Sequence, residues 1–162
     1  MLVNFLKPLI IFIPLAAIQL VVVPFISFQN MAPNLILILI VFYALVYGQI
    51  FGMLLGFVAG FFFDLFSGSV LGGFMFSFTL AGFIAGYFFN ENKYEIHLAS
   101  YVFSLIVLLC SVVSLFIYSI ITNNNTDVRM VYQAVEDGLI PGIYTAVFSI
   151  PVVIFNPRKV KA

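Results

Sequence analysis

Asp64 is the first acidic residue in the chain and the side chain with the clearest chemical potential. It stands in "GFFFDLFSGS", between Phe61–Phe63 and Leu65–Phe66, with no Lys or Arg within 20 positions on either side. A carboxylate in so apolar a setting is costly unless it faces protein, water or a partner. Three roles suit it. It can cap a short turn, where the following Ser67, Gly68 and Ser69 favour turn geometry. It can hold a proton or a cation, or it can pair with a polar group on another chain.

Little else in the chain points to chemistry. Cys110 is the single cysteine and His97 the single histidine, so neither an internal disulfide nor a Cys/His metal set can form. Cys110 sits in a long apolar run as an inert lipid- or helix-facing residue, and His97, beside "NKYE", reads as interfacial. There is no phosphate-binding glycine loop, no Ser/His/Asp or Cys/His set, no pair of carboxylates and no H-E-x-x-H. The expectation is a protein that is not an enzyme and that carries no cofactor and no metal. Six basic and six acidic residues balance, which argues against nucleic acid as a partner and against a polybasic lipid patch.

The elements that position Asp64 are apolar throughout. Of 162 residues, 64% are hydrophobic and 7% charged, against about 25% charged in an average soluble domain. With a mean hydropathy of +1.24, the natural solvent for such a chain is a bilayer. The expected class is an all-α integral membrane protein forming one polytopic domain over residues 1–162. Six apolar segments appear, at about 9–26, 34–47, 50–63, 70–89, 96–121 and 139–155, with an outer loop over 122–138. The first is too long for a signal-peptide core and no A-x-A cleavage pattern follows, so it is expected to be a membrane helix. Segments two and three have about 14 residues, roughly 21 Å of helix against a hydrocarbon core of ~30 Å. They either extend into flanking residues and span, or form a re-entrant hairpin; both return the chain to the same side.

Charge sets the orientation. With six crossings and a cytoplasmic start, Lys7, Lys93, Arg158, Lys159 and Lys161 fall inside and only Arg129 outside. Both termini are therefore expected in the cytoplasm, with Asp64 and the 122–138 loop at the outer side. Asn34 opens segment two as a cap, and Glu136 and Asp137 precede the last segment, where acids favour a helix start. Pro141 falls in that segment's first turn, while Pro14 and Pro151 are expected to kink their helices.

Asp64 also ends a stripe. Gly48, Gly52, Gly56 and Gly60 recur every fourth residue, and the same step reaches Asp64 and Gly68. In lipid, glycines four apart clear one helix face and let a second backbone approach. Segment four carries a matching row, Ser77, Ala81 and Ala85 beside Gly82 and Gly86. The two rows can pack on one another, or part of the first can receive a partner's membrane helix.

The stretch from Pro33 to Phe88 resembles the MreD family of bacterial rod shape-determining proteins. Carrying that resemblance are Pro33 before an Ile/Leu run, the glycine-spaced helix, Asp64-Leu65-Phe66-Ser67-Gly68, Leu71-Gly72 and Gly82. Members often carry Asp after the proline; here it is Asn34. The resemblance implies a non-enzymatic scaffold of the bacterial inner membrane that binds MreC. It further implies work beside MreB filaments, RodA and a class B penicillin-binding protein in peptidoglycan synthesis during elongation. It also implies a six-helix fold similar to the substrate-binding components of energy-coupling-factor vitamin transporters, and such a component is the alternative function. Under the scaffold expectation, the Asp64 turn with Ser67, Gly68 and Gly72 and the 122–138 loop would engage MreC, and the glycine row would hold its membrane helix.

Overall fold

In the computed structural model, residues 2–27, 32–68, 70–90, 101–122 and 129–155 are described, and every element among them is helical. The helices are α1 (Leu2–Val21), α2 (Val23–Ile26), α3 (Leu35–Tyr47), α4 (Gln49–Ser67), α5 (Gly73–Tyr87), α6 (Tyr101–Thr122), α7 (Arg129–Phe148) and α8 (Ile150–Phe155). By length and composition α4 and α6 can each cross a membrane; residues 7–21, 35–47, 73–87 and 139–148 form shorter apolar helices. His97, Lys93 and the basic tail at Arg158, Lys159 and Lys161 lie outside the described residues, as do residues 123–128 of the expected outer loop.

The short helix α3 is the centre. It packs against α1, α4, α5, α6 and α7, and Ile36, Leu37, Ile40, Val41, Ala44 and Leu45 have no solvent exposure at all. A helix that is apolar on every side is buried in a protein core or in a membrane; "LILILIVFYALVY" has no polar face, and here other helices cover it. Its thirteen residues rise only ~20 Å, which is tolerable for a helix wrapped by others. Gly48 alone separates α3 from α4, at φ +91°, a conformation open to glycine and strained for other residues. The run over 34–63 is thereby two helices, not one.

Helices α4 and α5 share the most intimate contact, backbone against backbone. A Cβ at Gly56 would overlap the Phe78 carbonyl, one at Gly60 would lie 2.5 Å from the Met75 Cα, and one at Gly52 would lie 2.6 Å from the Gly82 carbonyl oxygen. From the other side, added carbons at Gly82 and Gly86 would run into the backbone of Gly52 and Gln49. The stripe on α4 is filled from within the chain. Its opposite face, with Ile50, Leu54, Phe57, Phe61 and Leu65, is exposed.

Helix α6 turns Phe103, Ile106, Val107, Cys110, Ser111 and Ser114 toward α5 and α7. Cys110 is fully buried and its thiol points at the Ala81 carbonyl, 3.6 Å away, so it faces a helix and not lipid.

The last segment departs from its sequence boundaries. The backbone is helical from Arg129, so residues 129–138 of the expected loop belong to α7. Glu136 and Asp137 then fall well inside the helix and do not start it, and Pro141 is interior instead of lying in the first turn. The stretch "RMVYQAVE" explains this, since it offers good helix formers without a breaker. The side chains of 129–138 lie outside the described residues. The break comes instead at Ser149, before Pro151, which has no N–H to return and whose ring crowds the preceding turn.

Glycine substitutions should separate packing from turn effects. Gly56→Leu forces a side chain into the Phe78 backbone, which cannot yield, and is expected to cost about 3 kcal/mol or more. Gly68→Ala meets nothing within 4 Å but keeps a φ of +65°, and should cost about 1 kcal/mol. Thermal unfolding of both variants in mild detergent measures the difference; equal losses would mean that the α4–α5 contact is looser than described.

Candidate functional site

Asp64 lies in the last turns of α4 and is 1% exposed. Its carboxylate is turned toward the first turn of α5. Oδ2 accepts the N–H groups of Gly72 at 2.9 Å and Met75 at 3.1 Å, and Oδ1 accepts that of Phe74 at 3.1 Å. The opening amides of a helix have no partner inside it, and a residue at the N-cap normally supplies an oxygen. Here the N-cap is Gly72, at φ +99°, without a side chain to offer. The backbone conformation that demands glycine removes the local cap, and Asp64 supplies one from the preceding helix. The negative charge also lies at the positive end of the α5 dipole.

The surroundings hold this turn in place. Gly68 ends α4 in the left-handed region. The Tyr118 ring from α6 stacks on Phe74 with centroids 4.2 Å apart, and a Cβ at Gly73 would come within 2.9 Å of it. Phe63 meets Phe74 edge-on at 4.9 Å. So Asp64, Gly72 and Gly73 are gathered into one junction of α4, α5 and α6. Ser67 and Gly68 are at its exposed rim, with Leu65, Phe66, Val70 and Leu71 also exposed there. Ser69 lies outside the described residues.

A second polar junction was not singled out by sequence. Asn34 caps α3, its side chain accepting the Leu37 N–H at 3.0 Å. Its own N–H donates to Thr145 Oγ1 of α7, also at 3.0 Å, and that hydroxyl donates to the Pro141 carbonyl at 2.8 Å. Gln19 of α1 grips the same loop with both ends of its amide, donating to the Pro33 carbonyl at 2.9 Å and accepting the Leu35 N–H at 2.8 Å. The signal for this cluster was present but faint: Gln19 and Thr145 are lone polar residues in apolar stretches, and nothing in their spacing pairs them. Thr145 also donates its hydroxyl to the Pro141 carbonyl one turn back.

Both junctions direct their side-chain polar atoms at backbone groups. Among the described residues no three His, Cys, Asp or Glu side chains come together, and the oxygens of Asp64 are directed at backbone amides. What the pair does chemically is to saturate helix starts at one end of the bundle.

Comparison with known families decides what such a bundle is. The model of the rod shape-determining protein MreD matches residues 1–158. This chain belongs to the MreD family. It is therefore a membrane protein with a role in rod shape determination, from a family of shape-determining structural proteins. No curated protein and no solved structure matches the chain. In this MreD-family chain the D-L-x-S-G turn contributes a cap for the helix that follows it.

Substitutions at Asp64 should grade with the number of amides left unpaired. Asp64→Ala strands three N–H groups in a buried site and is expected to cost about 3 kcal/mol. Asp64→Asn keeps one acceptor oxygen and should lose roughly half as much. Melting of the two variants in detergent tests this; an Asp64→Ala protein as stable as wild type would refute the capping role.

Proposed function

We propose that the chain is a non-enzymatic scaffold of the cell-elongation complex, binding MreC and helping to couple MreB filaments to peptidoglycan synthesis by RodA and a class B penicillin-binding protein. The observation that carries the proposal is the family match over residues 1–158. In this proposal the protein crosses the inner membrane six times, with both termini cytoplasmic, in a fold similar to the substrate-binding components of energy-coupling-factor transporters. The distribution of Lys and Arg supports that orientation.

The contact with MreC is assigned to side chains that face outward. Asp64 is turned into the protein and Gly52, Gly56 and Gly60 are covered by α5, so both act by holding the turn and not by touching the partner. Exposed at that turn are Phe66 and Leu71, at 60% and 66%, on a rim that Asp64 keeps rigid. Apolar side chains on a preorganised turn suit recognition, because little ordering is required on binding. The vitamin-transporter alternative needs several convergent polar groups in a pocket. Among the described residues Asp64 is instead committed to the α5 amides.

Co-purification with MreC of the same organism, in mild detergent, tests the scaffold function. Wild-type chain is expected to capture MreC, while Phe66→Ser with Leu71→Ser should reduce capture at least tenfold with melting unchanged. Absence of capture by a folded, monodisperse wild type would sink the proposal and move attention to a ligand screen.

A further inference from the structure

Side-chain packing does little to hold the rim at Leu71. Val70 and Leu71 are both exposed, and Gly72, which follows them, has no side chain. The direction in which Leu71 points is therefore set by the backbone at the first turn of α5. Asp64 holds that turn from α4 through the N–H groups of Gly72, Phe74 and Met75. A second support comes from α6.

Gly73 shows where that support bears. Gly48, Gly68 and Gly72 have left-handed backbone, but Gly73 does not, so its conformation makes no demand for glycine. Alanine is ordinarily preferred in a helix. What leaves no room for it is Tyr118: a Cβ at Gly73 would lie 2.9 and 3.1 Å from the edge of that ring. The same ring stacks on Phe74 with planes 25° apart, while Phe63 of α4 meets Phe74 edge-on. Phe74 is thus gripped from two helices. Tyr118 covers two consecutive residues directly behind the rim, and it stands one turn before the end of α6. There the Thr122 hydroxyl donates to the Tyr118 carbonyl at 2.7 Å, and the Thr122 methyl also reaches toward Gly73.

We propose that Tyr118 is a positioning residue for the partner contact. Lying on Gly73 and Phe74, it fixes the direction of Leu71 and ties the rim to the end of α6, where the chain leads into residues 123–128. The inference rests on the assignment of Phe66 and Leu71 to the MreC contact. Aromatic pairs favour a narrow set of geometries, so the ring specifies an orientation as well as filling space. A rim held from α4 and α6 together needs little further ordering when it binds.

Hydrogen exchange of the full chain in detergent reads the rim without the partner. Tyr118→Ala is expected to raise exchange of the amides at 72–75 about tenfold and leave those of α3 unchanged. Tyr118→Phe keeps the stack and should behave as wild type. Gly73→Ala displaces the ring and should raise the same amides. Added to Tyr118→Ala it should do no further harm, since the ring it would strike is gone. Co-purification with MreC reads the function: Tyr118→Ala should lower capture about tenfold. Val107→Ala, a truncation at a fully buried position elsewhere on α6, should lower the melting temperature and leave capture intact. Unchanged exchange at 72–75 in Tyr118→Ala, additive effects of the two substitutions, or equal loss of capture in Val107→Ala overturns the inference. Capture by wild type that Tyr118→Ala does not alter refutes only the role of Tyr118, whereas no capture by a folded wild type refutes the scaffold function itself. If Tyr118→Ala does not fold, Tyr118→Leu, which fills space without a ring to stack, takes its place with the same expectations.

Discussion

A helix that begins inside a protein leaves amide groups with no partner in the helix and out of reach of water. The rest of this structure depends on how that requirement is met at α5. Gly72 must be glycine for its backbone conformation and so cannot cap the helix, and the acceptor comes from Asp64, one helix earlier. The single acid in the first part of the chain is thereby explained by the backbone it faces. Because the carboxylate sits on α4 and its donors on α5, capping one helix also fixes the register between two. That register sets Gly52 opposite Gly82 and Gly56 opposite Phe78.

The two ends of this argument support one another. Glycine contact brings the helix axes close, and closeness brings the Asp64 oxygens within reach of the α5 amides. Neither feature alone would give a rigid turn. A second junction does comparable work across the bundle, where Gln19, Asn34 and Thr145 tie α1, α3 and α7 through short polar contacts in apolar surroundings. Together they hold α3, which has no polar face, inside a sheath of other helices.

Much of this was legible in the residues, and the remainder has physical reasons for being hidden. The membrane class followed from composition, and the glycine row announced a close helix contact, though not whether its partner lay in the same chain. Asn34 was readable as a cap because the motif is local. Asp64 was only half legible: a turn role was one of three options, but its donors lie 8 to 11 residues on, beyond what cap patterns describe. The start of α7 is half legible: residues 127–135 read as a short helix at the interface, but Glu136 and Asp137 read as the start of a separate segment, whereas one helix runs through them. Gln19 and Thr145 pair through the fold alone, and no periodicity in the sequence could join them.

The bond from Asn34 to Thr145 spans 111 positions of chain. Helix α3 is therefore made 111 residues before the group that takes up the N–H of its cap. Until then α3 has neither this hydrogen bond nor the α7 wall. Contacts this distant in sequence form late. A chain cut short before Thr145 would therefore leave the Asn34 N–H without this acceptor at the start of α3.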